Sequence, residues 1–305
     1  MRPVFILLLL LQIHPAQAKE FAIQRQEQLL TVDVHFSLFG SRRDDVLAWV
    51  ESTADALAGV YGRWPKDEWR VKVRPITLFG SDPVPWAQVT RGDPDTVTFY
   101  INARASKEQL IANWTAYHEL SHLLIPYRGW GDMWFSEGLA CYYQNLLQAR
   151  HGVFDEQEMW QQLQDGFVRG RNNKRPDLSL AELSPKLHET RSHMRVYWTG
   201  ALYFLRADVE LRRRSGGEQS LDTVLAQLNA CCADRALSVP EMVRRLDGMI
   251  DYPLFQPLYE EITLSKQIPE FESLYQELGI VSDNEQVELV EGHPMTGIRQ
   301  AIAGF

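Results

Sequence analysis

Cysteine is scarce in this sequence: 305 residues contain Cys141 and the adjacent Cys231 and Cys232, and no others. So few exclude a small disulfide-built scaffold. Neighbouring cysteines rarely bond to each other, so Cys141 is expected as a small core residue. A bond from it to Cys231 or Cys232 stays open. Also missing is any Lys/Arg-rich run backed by aromatics, and the net charge is −9. Phosphate binding needs a positive surface, so no nucleic-acid partner is expected, and the acidity reads as a solvated face. Beyond residue 18 no apolar stretch is long enough to span a bilayer.

The first residues break from the ordinary composition of 45% hydrophobic and 23% charged. Met1-Arg2-Pro3 is a short positive start, residues 4–11 are an unbroken apolar run, and Ala16-Gln17-Ala18 has the small residues signal peptidase reads. Residues 1–18 are therefore expected to be a cleaved secretory signal, which makes the protein exported, periplasmic or secreted, with no stable membrane span after cleavage. The alternative is an N-terminal membrane anchor. No cysteine stands at the cleavage point, which argues against a lipid anchor.

Downstream, the pattern is α+β. Leu30, Val32, Val34, Phe36 and Leu38 alternate with polar residues, as do Trp69, Val71 and Val73 with Arg70, Lys72 and Arg74. Both read as half-buried strands. Between them, residues 44–61 carry a helical apolar stripe. Residues 80–95 read as a loop, and 96–102 as a third strand. A capping box, Ser106 with Gln109, opens a helix expected to run through Leu124. Asp132 is the expected cap of a helix from 133 to about 150. Further helices are predicted near 155–168, 194–213, 219–229, 240–249 and 269–278. The expected organisation is a signal (1–18), an N-terminal α/β subdomain with an edge strand (19–105), a helical subdomain (106–280) and a C-terminal extension (281–305).

The chemistry concentrates at His118-Glu119-Leu120-Ser121-His122. Residues four apart share a helix face, so both imidazoles can reach one metal, and Glu119 lies beside them without being a ligand. A satisfied pair of core histidines is the plain alternative, but it leaves the buried glutamate unexplained. A third ligand must come from elsewhere. Glu137, early in the next helix, completes a two-His, one-Glu site for Zn2+ with a position left open. Its plain alternative is an acid favoured by the helix dipole. His151, His188 and His193 compete for the ligand role without that placement, and Gly138 is expected to let the two metal helices pack closely.

These segments, H-E-L-S-H followed by W-F-S-E-G-L-A at 134–140, resemble the gluzincin zinc metallopeptidases. The nearest patterns are the glycyl aminopeptidases, the peptidase-MA-like domains and, distantly, aminopeptidase N. Tyr197-Trp198-Thr199-Gly200-Ala201-Leu202 resembles their Y-x-K-G-A-L segment, and the likeness extends over residues 95–280. It implies a thermolysin-like core: a small N-terminal sheet with a helix, the metal helix, a second ligand helix and a helical C-terminal subdomain. It implies hydrolysis of peptide or protein substrates, with Glu119 as general base and Tyr197 as oxyanion stabiliser. His193 is the reserve for Tyr197. Residues 96–102 would be the edge strand that pairs with extended peptide.

The sequence also departs from that pattern. Only fourteen residues separate His122 from Glu137, which trims the connecting loop. The G-x-M-E-N segment of aminopeptidase N is absent, so aminopeptidase activity is not inherited. Cys141 stands where thermolysin has an aspartate supporting a zinc-bound histidine. Asn113-Trp114-Thr115 matches a glycosylation sequon but falls within the expected metal helix, and reads as a chance match. Two other roles remain: a zinc-binding, catalytically weak protein recognising peptides or envelope partners, and a zinc hydrolase of a non-peptide substrate. Glu119 argues against the first, since a structural site needs no base.

Overall fold

The computed structural model describes residues 19–35, 42–77, 80–127, 129, 131–173, 177–283 and 285–305. The expected signal, residues 1–18, and the end of the first predicted strand, residues 36–38, lie outside them. Five strands make one sheet: β1 (Lys19–Arg25), β2 (Gln28–Val34), β3 (Glu68–Ile76), β4 (Trp86–Thr90) and β5 (Asp95–Asn102), in the order β1-β2-β3-β5-β4. β3 shows the expected alternation, with Trp69, Val71 and Val73 buried and Arg70, Lys72 and Arg74 half-buried. β2 and β3 run parallel, and parallel neighbours need a crossover. Helix α1 (Arg43–Tyr61) supplies it, burying Val46, Trp49, Val50, Leu57 and Val60. Trp49 meets Phe99 of β5 edge-on at 5.2 Å.

Two expectations about this sheet need correction. Residues 96–102 are not an edge strand: β5 bonds β3 on one side and β4 on the other. The segment expected as a loop, residues 80–95, contains the edge strand β4 itself. Period two reports which faces are buried, not how many neighbours a strand has, and β5 is buried along most of its length.

The Ser106–Gln109 capping box forms and opens α2 (Lys107–Ala112). The helix does not run on to Leu124. Asn113 is extended (φ −79°, ψ 132°) and its side chain accepts from the Thr115 N–H, starting a new helix, α3 (Trp114–Ser121). A 3-10 turn, His122–Leu124, follows it. The Asn113 sequon is thus at a helix start rather than inside the metal helix, with Nδ2 donating to Asp82 Oδ1 at 3.2 Å.

Then come α4 (Met133–Arg150), α5 (Glu156–Asn172), α6 (Leu180–Leu183), α7 (Leu187–Thr190), α8 (His193–Ser215), α9 (Leu221–Cys232), α10 (Val239–Asp247), α11 (Phe255–Leu264) and α12 (Glu272–Glu277). A hairpin, β6 (Ile280–Ser282) with β7 (Val287–Leu289), and α13 (Thr296–Ala303) end the chain. Asp132 precedes α4 but makes no capping side-chain bond. The boundary expected at 280/281 falls inside β6. α13 is tied inward by Arg299, 1% exposed, which donates to Glu156 at 2.7 Å and to the Gly279 carbonyl at 3.0 Å.

The core of the helical part is aromatic. Trp134 and Phe135 of α4 pack on Tyr203 and Phe204 of α8 with ring centroids 4.8–5.8 Å apart. Each such ring contributes about 2 kcal/mol of burial free energy. The close approach behind this packing is at Gly138, but not where it was expected. A Cβ on Gly138 would lie 2.4 Å from Gly200 Cα, so it lets α4 meet α8 rather than α3. A second correction concerns the neighbouring cysteines: Cys231 and Cys232 are disulfide-bonded to each other, and Cys141 is free and buried. Among the described residues no helix is long and apolar enough to cross a membrane.

Candidate metal centre

His118 stands in the last turn of α3 and His122 in the 3-10 turn that continues it, so the tightened spiral keeps both rings on one side. Their centroids are 5.1 Å apart and nearly perpendicular. Glu137 projects from the first two turns of α4. Its Oε2 lies 3.3 Å from His118 Nε2 and 3.8 Å from His122 Nε2. The ligand-capable atoms of these three residues all fall within 4.8 Å of one another, as a metal site needs. His151 instead bonds Ser52 Oγ at 2.8 Å, and His188 and His193 bond each other at 3.0 Å, so none of the competing histidines joins the cluster.

The imidazoles are held from behind. His118 Nδ1 is 2.8 Å from Gln144 Oε1, and His122 Nδ1 is 2.9 Å from Ser136 Oγ. The Gln144 oxygen only accepts, so the neutral His118 ring carries its proton on Nδ1 and offers the Nε2 lone pair forward. That is the tautomer a metal requires, and such outer partners orient metal-binding histidines generally. Two Nε2 atoms and one carboxylate oxygen converge, a donor set that fits zinc. Arg91 braces the turn from below: it bonds the carbonyl oxygens of His122 and Ile125 and the Asp95 carboxylate.

Burial and the neighbouring charges together set the titration of these groups in the metal-free protein. Burial works against a charged His118, yet the Cys141 thiol and the Glu137 carboxylate hold that imidazole well above its usual pKa. Burial drives His122 down to about 4, against the pull of Glu137. Burial also pushes the Glu119 carboxyl up to about 7, opposed by His118 and reinforced by Glu137. For Glu137 burial raises, but His122, His118 and the Tyr197 hydroxyl outweigh it and lower its pKa.

The centre opens into a cleft of about 1390 Å³. One wall is β4 with the Arg91 that follows it, and Trp86 and Trp114 are exposed there. The opposite wall is α5 and the start of α8. Tyr197 lines it, its hydroxyl facing the Glu137 carboxylate. Burial and then the charge of Glu137 raise its pKa, so it is a neutral phenol at physiological pH. Glu119 also lines the cleft beside the cluster.

The sequence reading did not find Ser136, Gln144 or Arg91. Gln144 had a signal: seven residues after Glu137 is two helical turns, hence the same face of α4. Arg91 had none, since it comes from a strand end read as loop.

Residues 129–202, fewer than half of the chain, match the model of the M61 glycyl aminopeptidase family. That span includes Glu137 and Tyr197 and leaves His118, Glu119 and His122 outside it. Comparison with curated proteins finds no match. Among solved structures, an aminopeptidase N family protein from Idiomarina loihiensis superposes with a TM-score of 0.64 at 15% identity, over 90% of this chain and 53% of that one. The M1 zinc metallopeptidase of Deinococcus radiodurans gives 0.53 at 16% identity, over 83% and 52%. A mutant of the latter bound to a Tyr-Ser-Ala substrate gives 0.52 at 16% identity, over 83% and 54%. The chain spans about half the length of these structures. Its fold is that of the aminopeptidase N-like enzymes, and the resemblance to gluzincin peptidases read from the motifs holds.

Proposed function

We propose that the protein is an exported zinc-dependent peptidase in which His118, His122 and Glu137 hold the metal and Glu119 is the general base. The observation that carries this is the convergence of two Nε2 atoms and one Glu137 oxygen beside a half-buried glutamate outside the cluster, in an open cleft. Zinc in this donor set would polarise the scissile carbonyl and make a water acidic enough to lose its proton near neutral pH. Glu119 accepts that proton and delivers it to the leaving nitrogen. The Tyr197 phenol donates a hydrogen bond to the oxyanion. β4 borders the site as the sheet edge, and an extended peptide laid along it would be held by backbone pairing. The Cys231–Cys232 bond supports an oxidising compartment, in keeping with residues 1–18 as an export signal.

Metal analysis of the purified protein, joined to a broad peptide-cleavage screen, tests this. One zinc per chain, lost in both His118→Ala and His122→Ala, and cleavage abolished by chelator are expected. Tight zinc with no cleavage of any peptide would transfer the protein to the recognition class, and cleavage only of non-peptide substrates to the other hydrolases. Zinc that survives both substitutions would sink the site itself.

A further inference from the structure

The cleft around the candidate centre is lined by two carboxylates, Glu119 and Glu137, and by two permanently charged cations, Arg91 and Arg169. Arg91 is committed to Asp95 and to the carbonyls of His122 and Ile125. Arg169 differs. It is exposed on α5, and among the described residues no carboxylate lies within ion-pairing distance of it. Its guanidinium lies over the Trp198 ring, 5.2 Å from the centroid. Its charge reaches Cys141, one turn along α4 from Glu137.

This placement is built in rather than incidental. Trp198 is 3% exposed and sinks into α5 because that helix has no side chains where the indole lies. A Cβ on Gly166 would be 2.1 Å from the Trp198 ring, and one on Gly170 would be 2.9 Å from Trp198 Cβ. Phe167 meets the same ring edge-on at 6.0 Å. Arg169, between the two glycines in sequence, has a flat aromatic surface to lie on. A guanidinium over an aromatic face keeps its N–H donors unspent on the ring, and a planar carboxylate can take them as a fork.

We propose that Arg169 on its Trp198 platform is a subsite for a carboxylate of the peptide substrate, either the C-terminal carboxylate or an Asp or Glu side chain. This deepens and rests on the peptidase reading. The two cleft carboxylates are taken by the metal and the general base, so the lining offers no further acid for a free amino terminus. Arg169 is the cleft cation placed to meet the acidic end of a peptide. A charge-assisted, bidentate contact of this kind gives a preference of about ten-fold or more over the neutral isostere.

The test uses zinc-loaded full-length protein and N-acetylated peptides of one sequence in four forms. These are the C-terminal acid, the C-terminal amide, and the amide with a single Glu or Gln scanned along it. Their kcat/KM values are compared in pairs. The expected result is a preference of about ten-fold for the acid or for one Glu position, which also tells the two carboxylate sources apart. Arg169→Gln should reduce the paired ratio to near one, and Arg169→Lys should keep part of it. Equal values for acid and amide and for every Glu/Gln pair, or a preference that persists in Arg169→Gln, would overturn the subsite while leaving the peptidase reading intact. If no peptide is cleaved, calorimetric binding of the same peptides decides. Carboxylate-selective binding lost in Arg169→Gln sustains the subsite although the acetylated peptides are not cleaved, and non-selective binding or none overturns it.

Discussion

Single side chains separate chemistry from scaffolding. Glu119→Gln keeps size but cannot accept a proton at neutral pH, so turnover should fall by about 10²–10⁴. The zinc content should be unchanged, because Glu119 is outside the ligand cluster. A two-fold effect, or loss of zinc together with activity, would remove it from the base role. Tyr197→Phe deletes only the hydroxyl that faces Glu137. If that hydroxyl meets the developing oxyanion, kcat should fall by about 10²–10³ with little change in KM. An equal rise in KM would mean that it holds the ground state instead. Gln144→Leu removes the acceptor 2.8 Å behind His118 Nδ1. It should weaken zinc affinity by about 10–100-fold, measured by competition with a chromophoric chelator.

At the scale of elements, what the sequence revealed depended on how local the signal was. The capping box at Ser106, the stripe of α1 and the alternation of β3 are set by neighbours in the chain, and they formed where expected. Glu137 lies against the His118–His122 turn from a separate helix, a pairing that periodicity does not reach and that the motif resemblance suggested. Partners distant in sequence were not legible. The pattern of β5 could not say that β4 would flank it, and the five residues of β4, between turn-forming segments, were too few to stand out. The role of Gly138 was misjudged in the same way, since its partner Gly200 is 62 residues further along the chain. That contact gives a test whose sign matters. Helix propensity alone predicts that Gly138→Ala stabilises α4 by about 1 kcal/mol. The 2.4 Å approach to Gly200 Cα is backbone and cannot yield cheaply, so overpacking should instead destabilise by about 1–3 kcal/mol. Urea unfolding of the metal-free protein distinguishes the two, and a raised midpoint would refute the close packing of α4 on α8.

For the whole molecule, the question is how the sheet and the helical part hold the centre together. A buried chain of charges does this. Lys66, after α1, bonds the Ala233 carbonyl beyond α9 and lies 3.4 Å from Asp95 at the start of β5. Asp95, 3% exposed, pairs with Arg91 at 3.1 Å, and Arg91 holds the carbonyls of His122 and Ile125. Burial raises the Asp95 pKa, but the Gly92 N–H and the charges of Arg91 and Lys66 outweigh it and hold it below the usual carboxylate range. A carboxylate with a depressed folded pKa contributes stability that is complete above its unfolded value of about 3.9, and that is lost as pH falls through the folded value. Metal-free protein should therefore lose this contribution as the pH falls below about 4. Other groups titrate there as well, so the informative quantity is the difference from Asp95→Asn. That variant removes the carboxylate that Lys66 and Arg91 share and should cost about 3–5 kcal/mol at neutral pH. Because the cost falls away as the native Asp95 becomes protonated, the two unfolding curves should converge at low pH. Zinc affinity should drop as well, since the brace under His122 is loosened. Parallel curves across the whole pH range would show that Asp95 does not carry the link between sheet and metal centre.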